Sequence, residues 1–357
     1  MLRWLPALLL AYAQAGYLAL LAAWARIEDP PPLDEPPAPQ NPPPVSLVIA
    51  AHDEEAVIAR KVRDARAQDL PELEIIVACD GCTDATADRA REASADLVLE
   101  LPRGGKIRAQ NAGVERARHA IVAFSDANAL LEPGALRELT APFEDPQVGY
   151  ACGHVTFLND AGTNQEGLYW RYEMALRALE SRLHSVTGGN GAIYATRRDA
   201  YLVVDPIMGH DLSFPFNFVK RGWRAVYRPS ARATEKMVPS IEGEFARKRR
   251  MMSHAWPIVL RGGLLDPRGY PPRYALMVLS HRALRYAGPF LHLAAAFGPR
   301  PARAATALLL AAAAIGKGRP GLIARYYVLT QASIALGLYD WLRHGTEAGW
   351  SAAEGTR

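Results

Sequence analysis

Apolar and polar positions follow three different patterns along the chain. Residues 4–25 (WLPALLLAYAQAGYLALLAAWA) carry no charged side chain. A helix that crosses a bilayer needs about 20 such residues, so the run predicts an N-terminal anchor over 1–26. The competing reading is a cleaved leader, with Arg3 ahead of the apolar run and Ala13-Gln14-Ala15 as its cut site. The apolar run continues past that site through Leu18, Leu20 and Leu21, which favours the anchor. Residues 30–44 (PPPLDEPPAPQNPPP) then predict an extended, stiff spacer over 27–44, holding a soluble domain off the bilayer.

From residue 45 the pattern changes to short apolar runs alternating with helical spacing. VSLVIAA (45–51) is continuously apolar, as a strand buried on both faces should be. Asp53 is placed to cap a following helix in which Ile58, Val62 and Ala65 recur at helical spacing. LEIIVACD (73–80), a helix over 84–93, LVLEL (97–101), a helix over about 106–118 and AIVAFSD (120–126) come next. Pro133 suits the start of another helix. The alternation predicts an α/β domain over 45–245, with a mostly parallel sheet and helices on both faces. A third pattern fills the C-terminal part. An amphipathic interface helix is expected over 246–275, two or three membrane spans over 276–345, and a polar tail over 346–357. Ala304 to Ile315 shows no polar face, whereas buried helices of soluble domains usually show one. The basic residues near these ends suit a cytoplasmic middle domain in a multi-pass protein of the inner membrane.

Composition narrows the function classes. Lys+Arg 41 against Asp+Glu 37 leaves a net charge of +4, too weak a balance for an obligate nucleic-acid binder. Hydrophobic residues at 50% exclude a disordered chain, and three cysteines exclude a disulfide scaffold. Cys79-x-x-Cys82 has redox spacing and would make a zinc site only with Cys152 and His154; bystander thiols are the plainer reading.

Ligands of open α/β sheets bind beyond the carboxyl ends of the strands, and two acids stand there. Asp80, in Asp80-Gly81-Cys82-Thr83-Asp84, can accept hydrogen bonds from a nucleobase or a ribose, or can simply shape a turn. Asp126 and Asn128, in Ser125-Asp126-Ala127-Asn128, put two oxygen donors at i, i+2, as a hard Mg2+ or Mn2+ on a diphosphate requires. Gly104-Gly105-Lys106 sets a cation at a helix N-terminus, although the P-loop spacing is missing. The first strand has no GxGxxG after it, which argues against a nicotinamide dehydrogenase and a sugar nucleotidyltransferase. Asp211, in Gly209-His210-Asp211, is a candidate general base, or else a solvated loop acid. Arg247-Lys248-Arg249-Arg250 either clamps a diphosphate through Arg forks or lies on anionic lipid.

The ordered set VSLVIAAHDEE, VACDGCTDAT, GGKIRAQNAG, VAFSDAN, YWRYEMALRALESR, TGGNGAIYATRR, GHD and RKRRM resembles the family 2 glycosyltransferases. It is most similar to their membrane-embedded branch, which includes cellulose, hyaluronan and poly-N-acetylglucosamine synthases. The resemblance spans about residues 45–260 and implies a GT-A fold. It also implies a nucleotide-sugar donor, typically a UDP-sugar, and inverting transfer to a glycan or lipid acceptor on the cytoplasmic side. Carried over by position, Glu54 and Asp80 hold the base and ribose, and Lys106 lies near the base or phosphates. Asp126 is the metal-binding acid of the DxD motif and Asp211 the general base. Gly188 to Gly191, with Gly189 within it, lies near the donor sugar. Arg247 and Arg250 take the first and fourth places of the Q-x-x-R-W motif. The chain departs from that pattern at Asn128, His210, Arg247 and Met251. These departures put processivity in doubt and motivate one alternative, a non-catalytic membrane sensor or scaffold for nucleotide sugars.

Overall fold

The four apolar runs of the N-terminal half become four mutually parallel strands of one eight-stranded sheet. The strands are β1 (Val45–Ala51), β2 (Leu73–Asp80), β3 (Leu97–Leu101) and β4 (Ile121–Asp126), followed by β5 (Leu130–Leu131), β6 (Val148–Leu158), β7 (Tyr194–Arg197) and β8 (Arg224–Lys236). The computed structural model describes residues 2–34, 36–158, 167–236, 238, 240–346 and 348. Of the polar tail expected over 346–357, only Thr346 and Ala348 fall among them.

The sheet has helices against it and is mostly parallel, as expected: among the described residues four of its strand pairings are parallel and three antiparallel, in the order β3-β2-β1-β4-β7-β6-β8-β5. β3, β2, β1 and β4 are mutually parallel. β7 then enters antiparallel between β4 and β6, β8 lies parallel to β6, and β5 closes the edge antiparallel. Alternate residues of β1 feed two separate cores. Leu47 and Ile49 join Ile75, Val77 and Ile121 on one face, and Val48 joins Ile76, Val122 and Phe124 on the other. Each such fully buried side chain contributes about 1.5–3 kcal/mol, which is why these strands read so clearly as unbroken apolar runs.

Helix packing then aims the site. The helix Lys106–Arg116 lies on β1 at Gly113, where a Cβ would stand 2.5 Å from Val48 Cγ1. Only glycine permits that approach, and it brings the helix N-terminus, with Lys106, to the carboxyl edge of the sheet. In the register, Ala51 pairs with Cys79 and Ala50 with Asp126, so Asp80 and Asp126 flank the end of β1 at one edge.

Two local expectations are corrected. Asp53 does not cap the helix Ile58–Arg66; that helix starts after Val57 without a side-chain cap. Asp53 instead adopts a left-handed φ of 49°, and its carboxylate accepts the Thr83 N–H at 2.8 Å. The proline-rich stretch is not a free spacer. Arg182 donates to the carbonyls of Pro30 and Pro31, and Arg228, buried, donates to those of Leu33 and Pro36.

The N-terminal helix, Leu2–Glu28, is long and apolar enough to cross a membrane. Tyr17 and Leu21 pack with Leu176, Trp256, Tyr286 and Ile334 in a third core, while Leu5, Leu8 and Leu20 stay exposed. The C-terminal part differs from the two or three spans expected. Among the described residues its one further candidate is the pair Arg300–Ile315 and Gly318–His344, which meet at 111°. Rows of small residues with scattered charge, such as Arg325, satisfy composition without giving a straight span.

Candidate functional site

Four charged side chains from distant parts of the sequence meet at the carboxyl edge of the sheet. Lys106 forms an ion pair with Asp126, and both are partly buried. Burial opposes the Lys106 charge, but the fields of Asp126, Asp211 and Glu235 outweigh it and hold the ammonium above its ordinary pKa. Glu235, near the end of β8, is pushed up to about 7 by burial and then by the neighbouring charge of Asp126. Three carboxylates thus act on one ammonium.

The glycine segment closes over this group. A Cβ on Gly191 would lie 3.4 Å from Lys106 Nζ and 3.6 Å from Asp126 Oδ2. The Gly189 N–H donates to the Asp211 carbonyl at 2.7 Å, and the Gly189 carbonyl accepts from Arg177 at 2.8 Å. At Gly189 even a methyl group would meet the Tyr150 hydroxyl at 1.9 Å. The segment therefore tethers Asp211, in the first turn of the helix His210–Lys220, to the Asp126 side of the cleft.

The other sequence-derived residues have different surroundings. Asp80 is almost fully buried, and its carboxylate accepts the N–H groups of Gly104 at 2.6 Å and Gly105 at 3.0 Å. It therefore fixes the turn that carries Lys106. Glu54 is buried at the end of β1, and its N–H donates to Thr86 Oγ1 at 2.8 Å. Asn128 is half-buried two residues beyond Asp126. Arg247 forks onto Glu244 with two 2.8 Å bonds, and its charge also reaches Glu235. Arg250 is exposed on the same helix, Ile241–Leu260. Lys248 lies over the rings of Tyr169 and Tyr326. His210, in the place of an acid, is buried among Phe124, Tyr194 and Phe214. Burial, and then the Lys106 charge, keeps it neutral.

Glu235 is the residue that sequence reasoning missed. It belongs to no motif, and it reaches the cleft only because β8 pairs with β6 at Phe157. The signal available was its place close to a strand end. The zinc reading of the cysteines fails on topology: β2, with Cys79, and β6, with Cys152, are separated by β1, β4 and β7, about 19 Å across the sheet. Cys79 and Cys82 do meet. A hydrogen bond from the Cys79 thiol pulls the half-buried Cys82 thiol down to about 7. Iodoacetamide should therefore label Cys82 with a midpoint near pH 7, before Cys79 or Cys152. Peptide mapping across a pH series checks this, and Cys79→Ala, which removes the donor, should move the midpoint up.

The chemistry available is that of an ammonium set among carboxylates, able to face an anionic ligand. Oxygen donors from Asp126, Asn128 and Glu235 suit Mg2+ or Mn2+, and the crowding of Asp126 on Glu235 is what a bound dication would relieve.

Comparison with known proteins gives the chain its family. EpsH of Bacillus subtilis (strain 168) is 29% identical over 128 residues, covering 35% of this chain and 37% of that one. An uncharacterized protein of Mycobacterium tuberculosis (strain CDC 1551 / Oshkosh) is 32% identical over 143 residues, covering 39% of this chain and 44% of that one. The matches thus span less than half the length of both relatives. Among solved structures, the mannosyltransferase PcManGT from Pyrobaculum calidifontis, in complex with GDP-Man and Mn2+, superposes with a TM-score of 0.74 at 23% identity. The superposition covers 96% of this chain and 99% of that one, and it shows a common fold. The family model described as glycosyltransferase like family 2 matches residues 42–253, more than half of the chain, and the chain belongs to that family.

Proposed function

We propose that this protein moves a sugar from a nucleotide-sugar donor, a UDP- or GDP-sugar, to an acceptor hydroxyl with inversion at the anomeric carbon. The single observation carrying this reading is the meeting of Lys106, Asp126, Glu235 and Asp211 beneath the glycine segment. Asp211 takes the proton of the acceptor hydroxyl as its oxygen bonds to the anomeric carbon, while the bond from that carbon to the diphosphate oxygen breaks on the opposite face. Lys106 faces the departing diphosphate and offsets its growing charge. Asp126, Asn128 and Glu235 would hold Mg2+ or Mn2+, which supplies further positive charge to that diphosphate when bound. Asp80 acts by fixing the Gly104–Gly105 turn, and Glu54 by shaping the base end of the cleft. Gly189 sets the floor under the donor sugar, with Arg247 and Arg250 on its basic rim.

The apolar helix Leu2–Glu28 anchors the chain in the inner membrane, and the exposed Phe290, Leu293, Leu308 and Leu310 extend the lipid-facing surface. The family domain then works on the cytoplasmic side, on a glycan or lipid acceptor. A nucleotide-sugar sensor would need no base, and the tether from Gly189 to Asp211 favours the enzyme.

The test incubates the purified, detergent-solubilised chain with a panel of UDP- and GDP-sugars, membrane lipids and Mn2+ or Mg2+. Mass spectrometry should show one lipid or glycan fraction gaining a hexose mass, with nucleoside diphosphate released only when the cation is present. A panel in which every donor survives intact with both cations rejects the reading.

A further inference from the structure

The helix Ile58–Arg66 buries Ile58, Val62 and Ala65 against the sheet, and on that same apolar face it buries Lys61 completely. A buried ammonium costs several kcal/mol unless its donors are satisfied, and Leu or Met would fill the position without that cost. Its donors are satisfied in a specific place. Lys61 Nζ donates to Ser125 Oγ at 2.8 Å and to the Ala129 carbonyl at 2.7 Å, and lies 3.8 Å from Asp64 Oδ2. Ser125 and Ala129 bracket the turn that carries Asp126 and Asn128, and the Ala129 N–H bonds back to the Asp126 carbonyl at 3.2 Å. Ser125 Oγ in turn donates to the Ala192 carbonyl at 2.7 Å, next to Gly191.

We propose that Lys61 is a positioning residue, pinning the 125–129 turn from beneath so that Asp126 and Asn128 face the cation and the glycine segment keeps its register with them. The inference rests on the transferase reading for its purpose, but its geometry stands apart from it. Two effects of the ammonium oppose each other. Its charge repels a dication, while its hydrogen bonds hold the ligands in place. Removing it therefore tightens cation binding if charge alone matters, leaves it unchanged if Lys61 only fills the core, and weakens it if Lys61 positions the turn.

The experiment compares the full chain with Lys61→Met and Ser125→Ala, using two readouts. Hydrogen exchange of the 126–131 amides should quicken by about tenfold in Lys61→Met and by less in Ser125→Ala, which keeps the charge and loses one link. Free Mn2+ measured by electron paramagnetic resonance, with UDP or GDP present, should report binding weakened about tenfold in Lys61→Met. Parental exchange rates, or Mn2+ binding that is unchanged or tighter, overturn the proposal. If Lys61→Met does not fold, Ser125→Ala decides by the same criteria. If the parental chain binds no Mn2+, the transferase reading loses its cation, and the exchange measurement still decides for or against Lys61.

Discussion

Asp211→Asn should slow sugar transfer by about 10²- to 10⁴-fold and leave donor affinity close to parental, because an amide keeps the shape of the side chain and cannot take up the proton. The main-chain bond from Gly189 to the Asp211 carbonyl does not involve the side chain, so the glycine segment should keep its place in the variant. Release of nucleoside diphosphate measures the rate, and calorimetric titration with the donor measures affinity. Transfer at the parental rate would remove Asp211 as the base. A joint loss of rate and affinity would instead make it part of the donor site.

Asp126→Ala should have the second largest effect, because that one carboxylate both faces Lys106 and crowds Glu235. Without it the Lys106 ammonium loses its ion-pair partner, and a cation keeps Glu235 and Asn128 of its three proposed donors. Donor binding that depends on Mn2+ should fall by about 10²-fold, in keeping with the loss of a charged partner in a partly buried site. Titration with donor, with and without Mn2+, is the measurement; equal affinities for parent and variant under both conditions would refute the role. A second consequence has a definite sign. Glu235 is raised from 4.5 to about 7, so it binds a proton in the folded chain that the unfolded chain has already lost. Its contribution to stability is complete below about pH 4.5 and is lost as pH rises through 7. Asp126→Ala removes one cause of that shift, so unfolding measured from pH 4 to 8 should depend less steeply on pH than in the parent.

What the sequence made legible follows from what burial does to a strand. β1, β2 and β4 are covered on both faces, so they appear as unbroken apolar runs, and the acids that end β2 and β4 stand out against them. The pairing of β7 between β4 and β6 is not written locally, since Phe124 and Tyr194 meet across seventy residues. Short, half-polar stretches such as YATR give no sign of partner or direction. Asp53 misled because a short acid before a helix is the usual cap; here a left-handed backbone turns its carboxylate onto Thr83. Asp80 and Lys61 show the same limit from the other side. One is an acid that a motif marks for a ligand and that spends its oxygens on Gly104 and Gly105. The other is a basic residue that no motif marks, yet it lies under the turn bearing Asp126.

The bonds from Arg182 and Arg228 to the proline stretch, together with the packing of the N-terminal helix in the third core, have a mechanical consequence. A leash glued along the body it leads has no slack to pay out. Inserting extra residues near Gln40, beyond those contacts, would then leave the N-terminal helix seated on the domain, and cutting the two arginine contacts would loosen the proline stretch while Tyr17 and Leu21 keep that helix in place.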